Sequence, residues 1–142
     1  MVICYYCPKT LTFQEQAVLV FPGKESKSME YYRSSSLSNC DYVFPFTKIV
    51  FIDSTWNQCH KICQDPRIHS LPQIMIKSRQ TLFWRYQSGK PKEYLSTIEA
   101  IYYLCVDFDN ILLGNTYCGQ YDNLLFFFKF MYEKIHQLYT NY

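Results

Sequence analysis

The sequence predicts an α/β domain with a mostly parallel sheet, flanking helices and a long C-terminal helix. Two short runs of consecutive apolar residues, 17–21 and 49–52, have the composition of strands that are buried on both faces. Helical patterns occur between and after such runs, at 56–63, 96–106 and 123–138. A chain of 142 residues can bury a substantial core, and we expect residues 1–142 to form a single domain.

The first half of the chain contains two strands and a short helix. The strand at 17–21 ends at Pro22-Gly23, which has the composition of a turn. Residues 29–33 begin a short helix after a polar loop. The central strand, 49–52, follows a second polar loop and ends abruptly at a carboxylate.

The second half of the chain is predicted to contain a helix, a third strand and two further helices. The helix at 56–63 ends before Pro66, because the residue preceding a proline disfavours helical geometry. A third strand is predicted at 73–76, and a loop at 81–92 precedes the next helix. The helix at 123–138 is apolar around much of its circumference, which predicts that it is buried or packs against a partner subunit.

Composition favours an intracellular protein with reduced cysteines. No apolar run approaches the length of a membrane span, and the N-terminus lacks the pattern of a signal peptide. The seven cysteines are an odd number, which argues against a complete disulfide framework. We therefore expect the nucleus or the cytoplasm, with no membrane partner.

The net charge of +2 hides a local concentration of positive charge between residues 60 and 92. This basic stretch contains one acidic residue, Asp65, and the aromatic residues Phe83, Trp84 and Tyr86 interleave with its basic residues. Such a cluster can bind phosphates, and aromatic faces can stack on unpaired bases, although a solvated face explains the pattern equally well. The candidate RNA contacts are Lys61, Arg67, Lys77, Arg79, Arg85, Lys90 and Lys92.

Asp53 is the first candidate for chemistry. It follows the central strand directly and precedes Ser54, Thr55 and Trp56. Ligands in open α/β sheets bind outside the carboxyl ends of the strands. The alternative is that Asp53 only caps the helix that follows or ties down a turn.

A second motif, Leu95-Ser96-Thr97-Ile98-Glu99, has two compatible interpretations. The spacing of Ser96 and Glu99 is that of a capping box, which by itself explains both residues. The start of the capped helix also offers free N–H groups to an anionic ligand.

Asp53-Ser54-Thr55-Trp56 resembles the signature of the DTW-domain family, and Leu95–Ala100 continues the likeness. The run Gln120–Phe127 is similar to the eukaryotic tRNA-uridine aminocarboxypropyltransferase branch of that family. The resemblance covers the chain from about Val18 onward. It implies a SPOUT-like fold, with S-adenosylmethionine as donor of a 3-amino-3-carboxypropyl group and N3 of a tRNA uridine as acceptor.

The resemblance implies the roles of the site residues. Asp53 would orient the uracil or accept its N3 proton, because neutral uracil N3 is a poor nucleophile. Trp56 is expected to pack near the ligand without direct chemistry, and a plain turn remains an alternative for Pro22 and Gly23. The expected donor-binding residues are Pro22, Gly23, Thr55, Trp56, Leu95, Ser96, Thr97 and Glu99.

The chain departs from the family pattern near its N-terminus. Members carry several cysteines and a His-Pro segment there, whereas this sequence has Cys4 and Cys7 and no His-Pro pair. We expect residues 1–16 to be the remnant of a Cys-containing region in a truncated chain. Cys4 and Cys7 have the spacing of zinc ligands, but a structural zinc site needs four. The resemblance implies half of a cysteine cluster whose other half is missing, so zinc binding by this chain is the less favoured interpretation.

Two alternatives to the aminocarboxypropyl transfer remain. One is an RNA methyltransferase of SPOUT type that uses the same donor and differs in which carbon on the sulfonium faces the nucleophile. The other is a non-catalytic RNA-binding fragment, which the short N-terminal half favours. The sequence leaves the oligomeric state open.

Overall fold

The computed structural model describes residues 2–4, 16–34, 44–84, 89 and 91–140. Its centre is a five-stranded sheet of order β1-β4-β2-β5-β3, in which every strand pair is parallel. The strands are β1 (Val2–Cys4), β2 (Ala17–Val20), β3 (Lys27–Ser28), β4 (Lys48–Phe51) and β5 (Gln73–Met75). The predicted α/β class with a mostly parallel sheet is therefore confirmed.

Four α-helices accompany the described strands. A π-helical turn at Phe108–Leu112 continues the third helix, and a 3-10 turn at Asp122–Leu125 leads into the fourth. The helices are α1 (Met29–Ser34), α2 (Trp56–Cys63), α3 (Thr97–Asp107) and α4 (Phe126–Thr140). The predicted bounds of α2 are confirmed, and those of α1, α3 and the three predicted strands differ by about one residue at either end. None of the described helices is long and apolar enough to cross a bilayer.

The sheet is covered on both faces, which explains why β2 is a continuous apolar run. Ala17 and Leu19 point to a core that includes Cys59 of α2 and Ile68. Val18, between them in the chain, points to the opposite core, which α1, α3 and the π-helical turn complete. Ala17, Val18 and Leu19 are all at most 3% exposed, so β2 is the most deeply buried of the four strands whose side chains the structure describes.

The C-terminal helix α4 is more exposed than its sequence predicts. Leu125 and Phe128 are buried, but several large apolar side chains of α4 are exposed: Phe126, Phe127, Phe130, Met131, Leu138 and Tyr139. Of the two alternatives predicted for this helix, burial within the domain is wrong, because one edge alone packs against the domain. Packing of the helix against a partner subunit stays a prediction.

A buried ion pair ties the segment after β5 to the end of α3. Asp107, 3% exposed in its side chain, accepts two hydrogen bonds from the Arg79 guanidinium and one from the Lys77 N–H at 3.1 Å. The guanidinium also lies 4.5 Å from the centre of the Tyr103 ring. Arg79 thus also has a role inside the fold, and its contact with RNA phosphates stays a prediction.

We predict that Asp107→Asn lowers the free energy of unfolding by about 3 kcal/mol, because it leaves the half-buried Arg79 without its counter-charge. Asp65→Asn is the matched control, since the Asp65–Arg67 pair lies at the surface and is expected to contribute about 1 kcal/mol or less. Urea denaturation followed by circular dichroism measures both. Equal losses in the two variants would contradict the assignment of Arg79 to the fold.

Candidate functional site

A cavity of about 1030 Å³ opens at the carboxyl ends of the central strands. Residues that follow β2, β4 and β5 line it on one side, and the start of α3 lines it on another. Typical small-molecule pockets have about 300–1,000 Å³, so the space is large enough for a nucleoside-sized ligand and part of a second group. The position is the one that the sequence predicts for a parallel sheet.

Asp53 lies two residues beyond the end of β4, and its side chain is exposed to the cavity. The Thr97 hydroxyl of α3 donates to its Oδ1 at 2.9 Å. Thr55, and not Asp53, is the N-cap of α2. The alternative that Asp53 caps the following helix is therefore wrong, and its carboxylate is instead oriented from across the cavity.

Trp56 combines packing with a position at the ligand space. Its ring lies 4.1 Å from that of Tyr94 and 6.4 Å from that of Phe21, and it packs against the core beneath α2. Trp56, Tyr94 and Thr55 all line the cavity. The sequence does not predict that Tyr94 lies at the site, because no local pattern indicates stacking on a residue 38 positions away.

The predicted capping box at the start of α3 is present, with Ser96 as N-cap. Leu95, Ser96, Thr97 and Ile98 line the cavity. The N–H groups of Thr97 and Ile98 belong to the first turn of the helix, where no intrahelical acceptor exists. They are available to an anionic group in the cavity.

Glu99 does not line the cavity, in contrast to its predicted role in donor binding. Its side chain is 2% exposed, and both carboxylate oxygens accept hydrogen bonds from protein groups, namely from Thr81, Leu82 and Ser96. The expectation of a donor contact is corrected on that ground: a carboxylate enclosed by protein donors cannot also hold a ligand.

Pro22 and Gly23 differ in their position relative to the cavity. Pro22 lines the cavity, whereas Gly23 turns the chain away from it. The Gly23 N–H donates to Ser26 Oγ at 2.8 Å, and the Ser26 hydroxyl donates to the Phe21 carbonyl at 2.5 Å. A Cβ on Gly23 would overlap Oε1 of Gln73, so a side chain there would displace the amide end of the Gln73 side chain. The plain turn is the better description of Gly23.

Three aromatic side chains form a further wall of the cavity. Phe83, Trp84 and Phe128, called the aromatic wall below, all line it. The ring centres of Phe83 and Trp84 are 4.9 Å apart, and that of Trp84 is 5.3 Å from that of Phe128. Phe83 and Trp84 were noted in the sequence as candidates for base stacking. Phe128 was not, because it belongs to a helix far along the chain.

The described basic residues differ in how they are engaged. Lys77 lines the cavity and lies 3.3 Å from Glu30 in an exposed ion pair. Arg67 pairs with Asp65 at the surface. Lys61 and Lys92 are also exposed. Arg85 and Lys90 lie outside the described residues.

The predicted zinc ligands are not tested by the structure. Cys7 lies outside the described residues, as does the side chain of Cys4 in β1. Within the described part of the chain, no group of three or more His, Cys, Asp or Glu side chains could hold a metal ion.

These features define an α/β domain with a largely apolar ligand pocket at the ends of its parallel strands. The sequence model of the DTW-domain family matches residues 8–136, and the chain therefore belongs to this family. No solved structure matches at a significant level.

The chain is similar to proteins named tRNA-uridine aminocarboxypropyltransferase 1. Those of Homo sapiens and Pongo abelii are 59% identical over 88 residues, which cover 62% of this chain and 29% of each relative. That of Xenopus tropicalis is 40% identical over 169 residues, which cover 94% of this chain and 58% of the relative. The chain thus spans less than two thirds of the length of these relatives. The last alignment is longer than the chain, so the frog protein has internal residues without a counterpart here.

We predict that Trp56→Ala lowers the free energy of unfolding by about 2 kcal/mol, because the half-buried ring supports both Tyr94 and the core. Trp56→Phe keeps most of the packing and is expected to lose less than half as much. Urea denaturation followed by circular dichroism measures both variants. A Trp56→Ala protein as stable as the parent would contradict the role of Trp56 as a packing anchor.

Proposed function

We propose that this chain transfers the 3-amino-3-carboxypropyl group of S-adenosylmethionine to N3 of a uridine in tRNA, with release of methylthioadenosine. One observation carries the proposal: Asp53 and the start of α3 face the same nucleoside-sized cavity. The names of the relatives support the reaction, and membership of the family supports the use of the same site. A tRNA substrate also supports a place in the nucleus or the cytoplasm.

Asp53 acts on the acceptor. Neutral uracil carries a proton at N3, and a carboxylate within hydrogen-bond reach accepts that proton or orients the imide. The N3–carbon bond then forms as the carbon–sulfur bond breaks, and sulfur leaves as a neutral thioether. Thr97 holds Oδ1 of Asp53 at 2.9 Å, so the carboxylate is oriented before the acceptor arrives.

The start of α3 and the residues around Trp56 hold the donor. Bound S-adenosylmethionine supplies an alkyl carbon that is already activated by its sulfonium. The N–H groups of Thr97 and Ile98 suit the carboxylate of its methionine moiety. Thr55, Trp56 and Pro22 shape the apolar part of the cavity.

The RNA reaches the cavity from the basic stretch. Lys77 lies at the cavity, and Lys61, Arg67 and Lys92 are exposed to reach phosphates. Arg85 and Lys90 of the basic stretch are proposed as further phosphate contacts. The aromatic wall can stack on a uracil that has left its base stack.

The test is mass spectrometry of nucleosides from unmodified tRNA after incubation with the protein and S-adenosylmethionine. We expect a uridine that is heavier by one aminocarboxypropyl group, and we expect Asp53→Asn to reduce its formation at least about a hundredfold. Asn keeps the size of the side chain and loses its basicity. Addition of a methyl group would instead identify a methyltransferase, and no added mass from a folded protein would overturn the proposed transfer.

Thr97→Val is predicted to slow the transfer roughly fivefold, because one hydrogen bond to a solvent-exposed carboxylate contributes about 1 kcal/mol. Thr97→Ser keeps the hydroxyl and is expected to stay within about twofold of the parent. Single-turnover rates at saturating donor measure both. The orienting role of Thr97 is ruled out should the valine and serine variants react at the same rate.

A further inference from the structure

Glu99 joins two segments that are far apart in sequence. Its Oε2 accepts from the N–H and the hydroxyl of Ser96, at 2.8 and 2.7 Å, and from the hydroxyl of Thr81 at 2.6 Å. Its Oε1 accepts from the N–H of Leu82 at 2.8 Å. Among the bonds that the Glu99 carboxylate accepts, a capping box requires only the one from the Ser96 N–H. The two bonds from residues 81 and 82 therefore serve something other than the cap.

The bonds from Glu99 continue to the aromatic wall. The Thr81 hydroxyl that donates to Glu99 also accepts from the Phe83 N–H at 3.0 Å. The carboxylate therefore fixes the backbone of residues 81–83 directly and through one hydroxyl. A separate bond, from the Thr81 N–H to the Lys92 carbonyl at 2.8 Å, anchors the beginning of this segment. Phe83 and Trp84, which follow, line the cavity that also contains Asp53.

We propose that Glu99 is a positioning residue that holds Phe83 and Trp84 in place to receive the acceptor base. It touches neither ligand and acts through the backbone of 81–83. A buried carboxylate suits this role, because each donor that it loses inside the protein would be left unsatisfied. The acceptor part of this inference rests on the proposed function, whereas the link between Glu99 and the loop does not.

Glu99→Gln separates the bond between Glu99 and the Leu82 N–H from the capping box of α3. Gln is as well suited as Glu to a capping box, so its amide oxygen can still accept from Ser96 and Thr81. Its NH₂ group then faces the Leu82 N–H, and two donors cannot bond to each other. Thr81→Val removes the hydroxyl between Glu99 and the Phe83 N–H, and Thr81→Ser restores it as the matched control.

The first readout is amide hydrogen exchange, which requires no activity. In Glu99→Gln the Leu82 amide is expected to exchange at least about tenfold faster, and in Thr81→Val the Phe83 amide likewise. The Ala100 amide, bonded to the Ser96 carbonyl within α3, should remain unchanged, and Thr81→Ser should match the parent. If the Leu82 and Phe83 amides kept the protection of the parent, the proposal that Glu99 holds residues 81–83 would be overturned.

The second readout is the binding of each ligand without turnover. We expect Kd for unmodified tRNA, measured by fluorescence anisotropy, to rise about five- to tenfold in Glu99→Gln and Thr81→Val, with Thr81→Ser restoring it. Kd for S-adenosylmethionine, measured by calorimetry, should stay within about twofold. Faster loop exchange with unchanged tRNA binding would overturn the acceptor role of Glu99. Because neither readout requires transfer, this result is distinguishable from a failure of the proposed reaction.

Discussion

Parallel pairing of β2 with both β4 and β5 is the constraint on which the site depends. In a parallel sheet, neighbouring strands end at the same edge, so whatever follows each of them comes together in space. Here Pro22 follows β2, Asp53 follows β4, and Lys77 follows β5, and all three line one cavity. The pairing is fixed because β2 is buried on both faces, where a one-residue slip would move each side chain to the opposite core.

Helix α3 organises the other side of the cavity through two buried carboxylates. Asp107, at its end, binds Arg79 and the Lys77 N–H, and Glu99, at its beginning, binds the backbone at residue 82. Glu99 and Asp107 are each 2% exposed as whole residues, so each carboxylate must be satisfied by protein donors. The segment after β5 is thereby held along its length, and Phe83 and Trp84 of the aromatic wall occupy a defined place although the segment has no regular secondary structure.

Local patterns were sufficient to predict three of the five described strands, the four described helices and the place of Asp53 after β4, but not β1 or β3. The abrupt end of an apolar run located Asp53, and the spacing of Ser96 and Glu99 located the start of α3. The partners of buried polar groups were not predictable, because no pattern indicates which donors converge on Glu99 or Asp107. For the same reason the sequence does not reveal the ion pair of Arg79: its charge is evident, but its counter-charge lies 28 residues away. The exposure of α4 could not be predicted either, since apolar composition does not specify which face packs.

The most direct test of the account is the footprint of a non-reactive donor analogue on the ¹⁵N-labelled protein. S-adenosylhomocysteine, which lacks the sulfonium charge, is a suitable probe for solution NMR. The account predicts that the largest backbone shifts fall at residues 53–56 and 95–98, on the two sides of the cavity. Binding whose shifts are confined to another surface, with these two segments unaffected, would contradict the placement of the donor beside Asp53.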